Sequence, residues 1–356
     1  MSKTYTSEDE KISLRNEDIT HVCIAPSLYP LMQYILLKDI DTVKKHTFYI
    51  FTDVISKDIR KHLPCVHYKH DSGTFSQNLK KRLDKFAILL FKYCRFPFLK
   101  TAKIYALDMT YTSLFIGKRE YDLLSDGPGC LTSNMQENCA AYIRQKAKAN
   151  SLVGHIQRLV FGDVFINNWG NNKQCQGLYM TEENVSPIVD SHKTHVKSLK
   201  QMWDEASEET KDFLLEIFSL DKSDIESLNS RPLMFFTQPM TTDCGMSENE
   251  YAEVLKKMLG RYDNTQLIIK THPRDRFDYQ SLFPDALVYR KAVNAQLLEL
   301  TGVKPKKVIT ICSSSVEAFS EDIECDYFGS DIHPKIEHHF GKEYFPNRTF
   351  NKVDMP

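Results

Sequence analysis

One histidine stands where a strand is predicted to end. His272 and Pro273 follow the apolar run Leu267 to Ile269, so we expect the imidazole at the carboxyl end of a strand, where open α/β sheets bind ligands. Proline fixes its own φ and favours extended geometry in the residue before it. A histidine held there could donate a hydrogen bond to a phosphate oxygen as charge develops on a leaving group. A loop histidine without a role is the alternative, because a lone histidine is a weak motif.

Three consecutive serines close a later apolar run. Ser313, Ser314 and Ser315 follow VITIC and precede the helix-like VEAFSED. Hydroxyl groups and backbone N–H groups at a strand-to-helix turn are typical of a phosphate site. A serine N-cap explains the same pattern on its own, and the occurrence of His272 at a neighbouring strand end of the same unit favours the phosphate site.

An aspartate lies at a predicted turn in the first half of the chain. Asp126 and Gly127 follow the strand-like YDLL within LLSDGPG. The glycines would let a substrate approach the backbone, and a carboxylate there could accept a proton from a sugar hydroxyl. An ordinary turn is the alternative, because Asp-Gly is a common turn dipeptide.

Other histidines fit poorly as functional groups. Ile332-His333-Pro334 follows a turn and not an apolar strand, and His338-His339 has no acidic partner at helical ligand spacing. Because no HExxH or DxD motif accompanies that histidine pair, we predict that the protein uses no metal and no other cofactor.

Alternating strands and helices must position these residues. In the first half, strands are predicted at His21 to Pro26, Thr47 to Thr52, Val66 to His70, Lys103 to Asp108 and Tyr121 to Ser125, with helices after the first and over Ser76 to Arg95 and Asn134 to Asn150. In the second half, strands are predicted at Leu233 to Gln238, Gln266 to Thr271, Ala286 to Arg290, Val308 to Cys312 and Asp326 to Gly329, and helices at Glu248 to Arg261, Ala295 to Leu300 and from Val316. This alternation favours mostly parallel sheets.

A polar, helix-rich stretch interrupts the alternation and divides the chain. We predict an N-terminal domain at 1–195, a helical connector at 196–230 and a C-terminal domain at 231–356. Two such α/β units place a ligand in the cleft between them, at the carboxyl ends of the strands.

Composition excludes several classes of protein. The 356 residues carry a net charge of −1 and 42% hydrophobic residues, which excludes a disordered chain and a strongly basic nucleic-acid binder. The N-terminal residues are polar, and no apolar run approaches the length of a membrane span, so we expect a cytoplasmic protein. Nine cysteines without a CxxC pair predict reduced thiols, with Cys23 and Cys312 buried.

One segment combines basic and aromatic residues. Lys80 to Lys103 contains eight basic residues and one acid, Asp84, interleaved with phenylalanine and tyrosine. The pattern predicts peripheral contact with an anionic lipid headgroup or a phosphorylated glycolipid on the inner face of the membrane. A solvated helix face with an apolar stripe facing the core explains it equally well. Since dimers are the commonest assemblies, a homodimer is the default expectation.

Taken in order, SDG, FFTQP, KTHPRD, a glutamate and SSS resemble the motifs of bacterial sialyltransferases of glycosyltransferase family 52. The more distant polysialyltransferases and marine-type sialyltransferases also carry an acidic-acidic-Gly motif, a His-Pro motif and a Ser/Thr pair. The resemblance spans residues 20 to 340 in architecture and about twenty positions as motif. It departs from the family pattern at Ser125, which stands where the first acid is expected.

The resemblance implies a GT-B fold, in which two Rossmann-like α/β domains face each other across a cleft. It implies inverting, metal-independent transfer from CMP-sialic acid to a galactose-type hydroxyl of a lipooligosaccharide or capsule. Asp126 resembles the general base, and His272 resembles the group that supports the departing CMP phosphate. The remaining substrate-binding positions implied are Gly127, Gln238, Pro273, Glu299 (ribose or base), and Ser313, Ser314 and Ser315 (phosphate).

Two other functions remain open at this point. Teichoic-acid CDP-glycerol transferases share a Lys-x-His-Pro pair after a strand and a later serine-rich turn, and they also release CMP. SDG and the lack of an evident membrane anchor favour the sialyltransferase. A non-catalytic nucleotide-binding protein of polysaccharide assembly is the alternative from another class; it would bind CMP without consuming a donor.

Overall fold

The structure, a computed structural model, describes residues 3–68, 87–88, 90–108, 114–127, 150–165, 170, 172–181, 192–320, 322–341 and 351–355. The chain forms two compact units, Met1–Ile217 and Phe218–Pro356. Each unit is built on a parallel sheet with helices between successive strands. The helix predicted at Asn134 to Asn150 lies outside the described residues up to its last position, as does most of Ser76 to Arg95.

The first unit contains a seven-stranded parallel sheet in the order β5-β4-β3-β6-β7-β8-β9 and a small antiparallel pair, β1-β2. Its strands are β1 Thr4–Thr6, β2 Ser13–Arg15, β3 His21–Ala25, β4 Thr47–Thr52, β5 Cys65–Tyr68, β6 Lys103–Ala106, β7 Tyr121–Leu124, β8 Cys175–Met180 and β9 Thr194–Val196. Its helices are α1 Leu28–Leu37, α2 Lys57–Arg60, α3 Leu152–Phe161, α4 Leu199–Glu205 and α5 Glu208–Ile217.

The second unit contains a six-stranded parallel sheet in the order β12-β11-β10-β13-β14-β15. Its strands are β10 Leu233–Phe236, β11 Leu267–Lys270, β12 Leu287–Tyr289, β13 Lys307–Thr310, β14 Glu324–Tyr327 and β15 Asn351–Lys352. Its helices are α6 Lys222–Asn229, α7 Met240–Asp243, α8 Glu248–Leu259, α9 Tyr279–Leu282, α10 Ala295–Leu300 and α11 Pro334–Phe340. Helices α4, α5 and α6 thus account for the stretch that was expected to connect two domains.

Burial on both faces explains why these strands are continuous apolar runs. All six residues of β4 and all four of β11 are buried, as parallel strands covered by helices should be. In the second unit, α8 packs Tyr251, Leu255 and Met258 into the core cluster that includes Phe235 and Ile269 of the sheet. A capping box formed by Ser247 and Glu250 begins that helix.

The strand order reverses once in each sheet. In the first unit the chain moves from β3 outward to β4 and β5, and then returns to β6 on the other side of β3. In the second unit β10 is flanked by β11 on one side and β13 on the other. Such switch points leave a crevice at the carboxyl ends of the strands, which is where α/β proteins bind ligands.

Three sequence-based predictions need correction. The helix expected from Val316 is a five-residue 3₁₀ helix, Ser314–Ala318. Strands β8 and β9 were not predicted, because CQGLYM is interrupted by glycine and THV is too short to show alternation. The serine run and His272 do not follow adjacent strands, since β10 lies between β11 and β13.

The basic segment Lys80 to Lys103 is described only in part, and one of its lysines does not lie at the surface. Positions 80–86 lie outside the described residues. Lys92 is buried, and its Nζ donates to the carbonyl oxygens of Leu114 at 2.6 Å and Phe115 at 3.2 Å. Phe96 and Phe98 belong to the core. Leu90 and Phe91 are exposed, so the described part of the segment has aromatic residues both in the core and at the surface, and membrane contact stays a prediction.

The described residues contain neither a helix that is long and apolar enough to cross a membrane nor a disulfide. Cys23 and Cys312 are fully buried, as predicted, and burial raises the pKa of the Cys23 thiol far above its usual range. Cys130 and Cys139 lie outside the described residues.

Candidate active site

His272 lies in the turn after β11, and its backbone is fixed by a neighbouring strand end. The backbone N–H of His272 donates to Thr237 Oγ1 at 3.0 Å, and Thr237 directly follows β10. Phe236 pairs with Lys270 across the two strands, so the polar residues that follow each strand emerge side by side. The histidine is therefore held at the carboxyl edge of the sheet.

A hydrogen bond within the His-Pro turn determines which ring nitrogen of His272 carries the proton. The backbone N–H of Arg274 donates to Nδ1 at 3.1 Å, so Nδ1 acts as an acceptor and the neutral ring is protonated at Nε2. Desolvation by burial, with the charges of Arg274 and Lys270, lowers the pKa of His272 to about 4. His272 therefore presents a neutral Nε2–H donor at pH 7.

Beneath His272 lies a buried carboxylate with three donors. Asp275, 3% exposed, accepts hydrogen bonds from the hydroxyls of Thr237 at 2.6 Å and Tyr279 at 2.7 Å, and from the N–H of Phe277 at 3.1 Å. A buried carboxylate satisfied in this way is a rigid anchor. Through Thr237, this anchor holds the backbone of His272.

A second tie joins the same two turns. Arg274 donates two hydrogen bonds to Asp243, from Nη1 to Oδ1 at 2.9 Å and from Nη2 to Oδ2 at 2.8 Å. Asp243 ends α7, the short helix that follows Gln238 and Pro239. This bidentate pair restricts the motion of one turn relative to the other.

The serine run follows β13 on the other side of β10. Ser313 is buried, and it caps the short 3₁₀ helix by accepting from the N–H of Ser315 at 3.3 Å. Its own N–H donates to Thr310 Oγ1 at 2.8 Å. The half-buried hydroxyls of Ser314 and Ser315 have no hydrogen-bond partner in the part of the chain that the structure describes, so they are the ones that can donate to a ligand.

Gln238 and Glu299 flank these groups in different ways. Gln238 is half-buried two residues past β10, between the turns that carry His272 and the serines. Glu299 lies in the last turn of α10, a helix that packs against the 3₁₀ helix of the serine run. The second unit thus gathers His272, Pro273, Gln238 and Ser313–Ser315 at the carboxyl edge of three successive strands, with Glu299 on an adjoining helix.

Asp126 belongs to the first unit, two residues past β7. Its carboxyl accepts a hydrogen bond from Ser27 at 2.6 Å, and Ser27 follows β3. Desolvation raises the pKa of Asp126 to about 6, while the Ser27 hydrogen bond acts in the opposite direction. Asp126 is nevertheless exposed to solvent, so a hydroxyl group of a ligand can reach its carboxyl. Such a group can serve as a base near neutral pH.

The turn that carries Asp126 has its own support. Gln33 of α1 is fully buried; its Oε1 accepts from the N–H of Ser125 at 2.8 Å and its Nε2 donates to the carbonyl of Tyr179 at 3.0 Å. Gly127 has a φ of 136°, a backbone conformation that residues with a side chain rarely adopt. Its N–H donates to Ser125 Oγ at 3.4 Å. Ser125 is fully buried, so it supports the turn.

Sequence reasoning did not identify Thr237, Asp275, Ser27 or Gln33. A signal existed for Ser27, which follows a predicted strand, whereas Thr237 falls inside one. The bond from Thr237 to Asp275 and both bonds of Gln33 join residues that are distant in sequence. No group of three metal-ligating side chains occurs among the residues that the structure describes.

His333 shows what the second His-Pro pair does. It caps α11, and its Nδ1 accepts from the N–H of Lys335 at 3.2 Å. The same local geometry therefore occurs twice, but His333 follows a 3₁₀ helix and not a strand. This makes His333 a natural control for His272.

Known proteins resemble this chain in sequence and in fold. An uncharacterized protein of Haemophilus influenzae is 28% identical over 271 residues, 76% of this chain and 82% of that protein. The GT-B domain of a sialyltransferase from Photobacterium damselae superposes with a TM-score of 0.50 at 13% identity, covering 86% of this chain and 90% of that one. A 2,6-sialyltransferase from a Photobacterium species, solved with the donor product CMP and the acceptor lactose, gives a TM-score of 0.53 at 11% identity over 86% of this chain and 71% of that one.

These structural similarities and the two parallel α/β units confirm the predicted GT-B fold class. The model of glycosyltransferase family 52 matches residues 43–323, which is most of the chain and includes every residue of the candidate site except Ser27 and Gln33. The chain therefore belongs to glycosyltransferase family 52.

Proposed function

We propose that this glycosyltransferase moves sialic acid from CMP-sialic acid to a galactose-type hydroxyl of a bacterial surface glycan, a lipooligosaccharide or a capsule, with inversion and without a metal. The observation that carries the proposal is a set of neutral donors at one sheet edge of the second unit. The Nε2–H of His272 and the hydroxyls of Ser314 and Ser315 have no hydrogen-bond partner among the described residues. Such a set suits a phosphate that gains charge as it departs.

In this proposal the second unit binds the donor. The two serine hydroxyls and His272 donate to the phosphate oxygens of CMP, and Glu299 holds the ribose or the base. Because His272 is neutral and carries its proton on Nε2, it acts as a hydrogen-bond donor to the leaving phosphate. The departing CMP thus keeps the electron pair of the broken C–O bond.

The first unit supplies the base in this proposal. The acceptor oxygen attacks the anomeric carbon from the side opposite CMP, which inverts that centre, and Asp126 takes the hydroxyl proton. Desolvation supports this role because it raises the pKa of Asp126 to about 6, close to the working pH of a general base. The transition state has oxocarbenium character, so stabilising the phosphate and activating the acceptor oxygen contribute most.

The test is release of CMP from CMP-sialic acid by the purified protein in EDTA, with and without lactose, with CDP-glycerol as the control donor. Release that lactose accelerates would support metal-independent sialyl transfer. Turnover of CDP-glycerol with no turnover of CMP-sialic acid would assign the site to glycerol phosphate transfer. Binding of CMP with no consumption of either donor would indicate a non-catalytic protein.

Two substitutions test the assigned roles. Asp126→Ala and His272→Ala should each lower kcat by at least about a hundredfold without unfolding the protein. The matched control is His333→Ala, which removes the second His-Pro histidine and should leave kcat within about twofold of wild type, since its ring caps α11. Near-wild-type turnover in either site variant would remove that residue from the mechanism.

A further inference from the structure

Ser27 occupies the N-cap position of α1 but does not cap the helix. Its backbone is extended, with φ −137° and ψ 175°, and its side chain accepts no hydrogen bond from the helix. An N-cap hydroxyl usually accepts from the N–H of the second or third helical residue. The third residue here is Pro30, which has no N–H. The sequence SLYP therefore removes one of the two partners that would hold this hydroxyl in a cap.

The hydroxyl donates to Asp126 instead. The distance from Ser27 Oγ to Asp126 Oδ1 is 2.6 Å, within the range of a hydrogen bond to a carboxylate. The residues are equivalent in the sheet, because each lies two positions past the end of its strand, β3 or β7, with β6 between them. The other carboxylate oxygen, Oδ2, has no hydrogen-bond partner among the described residues.

The backbone of Asp126 is fixed without Ser27. Gln33 holds the N–H of Ser125, and the N–H of Gly127 points to Ser125 Oγ. Removing the Ser27 hydroxyl should therefore leave the turn in place and free only the Asp126 side chain to rotate. This separation of functions makes the contribution of Ser27 measurable.

We propose that Ser27 is a positioning residue that holds Oδ1 of Asp126 and so directs Oδ2 at the acceptor hydroxyl. The inference rests on the proposed role of Asp126 as the base. It also assigns a function to the hydroxyl that Pro30 releases from capping.

Two opposing effects act on the pKa of Asp126 among the described residues. Burial raises its pKa and the hydrogen bond from Ser27 lowers it. The ring of Tyr29, in α1, lies next to Gly127, and its hydroxyl forms a hydrogen bond with the hydroxyl of Thr181 at 3.0 Å. Lys103 and Asp122 form an ion pair at 3.1 Å. They lie near the amino ends of β6 and β7, whereas Asp126 follows the carboxyl end of β7. Loss of the Ser27 hydroxyl should therefore raise the pKa of Asp126 further, since a hydrogen bond to the charged form favours that form.

The experiment compares Ser27→Ala and Ser27→Thr with wild type. Ser27→Ala should lower kcat by about ten- to a hundredfold, the size of one hydrogen bond to a charged group, with KM for CMP-sialic acid unchanged. The acid limb of the pH profile should move to higher pH. Ser27→Thr keeps the hydroxyl and should restore most of the activity. The matched control is Ser198→Ala, since Ser198 caps α4 through the N–H of Gln201 at 3.1 Å and should matter only to stability.

A second measurement separates this inference from the proposed function. The pKa of the Asp126 carboxyl is followed by NMR in protein labelled with carboxyl-¹³C aspartate, with the signal assigned from its loss in Asp126→Asn. A higher pKa in Ser27→Ala supports the inference even if CMP-sialic acid is not the donor. An unchanged pKa, or a loss of kcat that Ser27→Thr does not restore, would overturn it. Absence of turnover in the wild type would count against the proposed function alone.

Discussion

The Thr237 hydroxyl links the His-Pro turn to the buried carboxylate of Asp275, so Thr237→Val should weaken both stability and donor binding. Valine keeps the volume and the branched shape of threonine while removing the hydroxyl. The substitution leaves the N–H of His272 without its acceptor and Asp275 with two donors in place of three. Because both groups are wholly or partly buried, water replaces these bonds poorly.

The expected loss follows from the two bonds removed. A buried donor left unsatisfied costs about 1–3 kcal/mol, and a hydrogen bond to a charged group contributes about 1.5–3 kcal/mol. The two effects share one side chain and are not additive, so we expect the free energy of unfolding to fall by about 2–4 kcal/mol. The loosened turn should also raise the Kd for CMP about tenfold, since His272 would lose one of the two ties that hold its turn.

No tryptophan occurs in the sequence of the second unit, from Phe218 onward, so tryptophan fluorescence does not report on that unit. Hydrogen exchange measured by mass spectrometry on peptides from 233–320 does, and calorimetry gives the affinity for CMP. Thr242→Val is the control, because Thr242 is exposed and its hydroxyl has no hydrogen-bond partner among the described residues. A change of less than about 0.5 kcal/mol, the size expected of a surface substitution, together with unchanged CMP affinity would refute the anchoring role.

Two predictions concern pH. The value of kcat/KM should fall below about pH 6 as Asp126 becomes protonated. The profile should show no titration of His272 between pH 6 and 8, because the pKa of that ring is lowered to about 4. An inflection near pH 6 that persists in Asp126→Asn would contradict the assignment to Asp126. The raised pKa of Asp126 also means that the folded state binds more protons than the unfolded state between about pH 4 and 6, so its contribution to stability is present at low pH and lost as pH rises through about 6. Asp126→Asn should therefore gain stability relative to wild type between pH 4.5 and 7.5 in urea unfolding, and a difference that does not change with pH would show that the carboxyl is not desolvated.

Much of the fold could be predicted because parallel strands buried on both faces are continuous runs of apolar residues. TFYIFT and LMFFTQ stand out in the sequence for this reason, and both form strands near their predicted bounds. The strands that were not predicted, β1, β2, β8, β9 and β15, show no continuous apolar run in the sequence. Among the described residues, β8 and β9 extend the first sheet beyond β7, and their sequences mix polar residues or glycine with apolar ones.

The basic and aromatic segment shows that composition does not decide which of its residues are buried. A lysine among aromatic residues has the same letters whether it faces water or the core. Lys92 is buried because two backbone carbonyls accept hydrogen bonds from its Nζ, and those carbonyls lie more than twenty residues away in sequence. Only the folded chain brings these groups together.

By itself, the sequence determined the two α/β units, the positions of Asp126, His272 and the serine run at strand ends, and the family motifs. These features are local, since each depends on an apolar run and the polar residues that follow it. The tertiary structure decided the rest. It placed β10 between the turns of His272 and the serines, fixed the proton of His272 on Nε2, and joined Asp275 to His272 through Thr237. It also brought Ser27 to Asp126 across 99 residues of chain. Strand order and side-chain hydrogen bonds of this kind depend on distances between residues far apart in the sequence, and folding alone sets those distances.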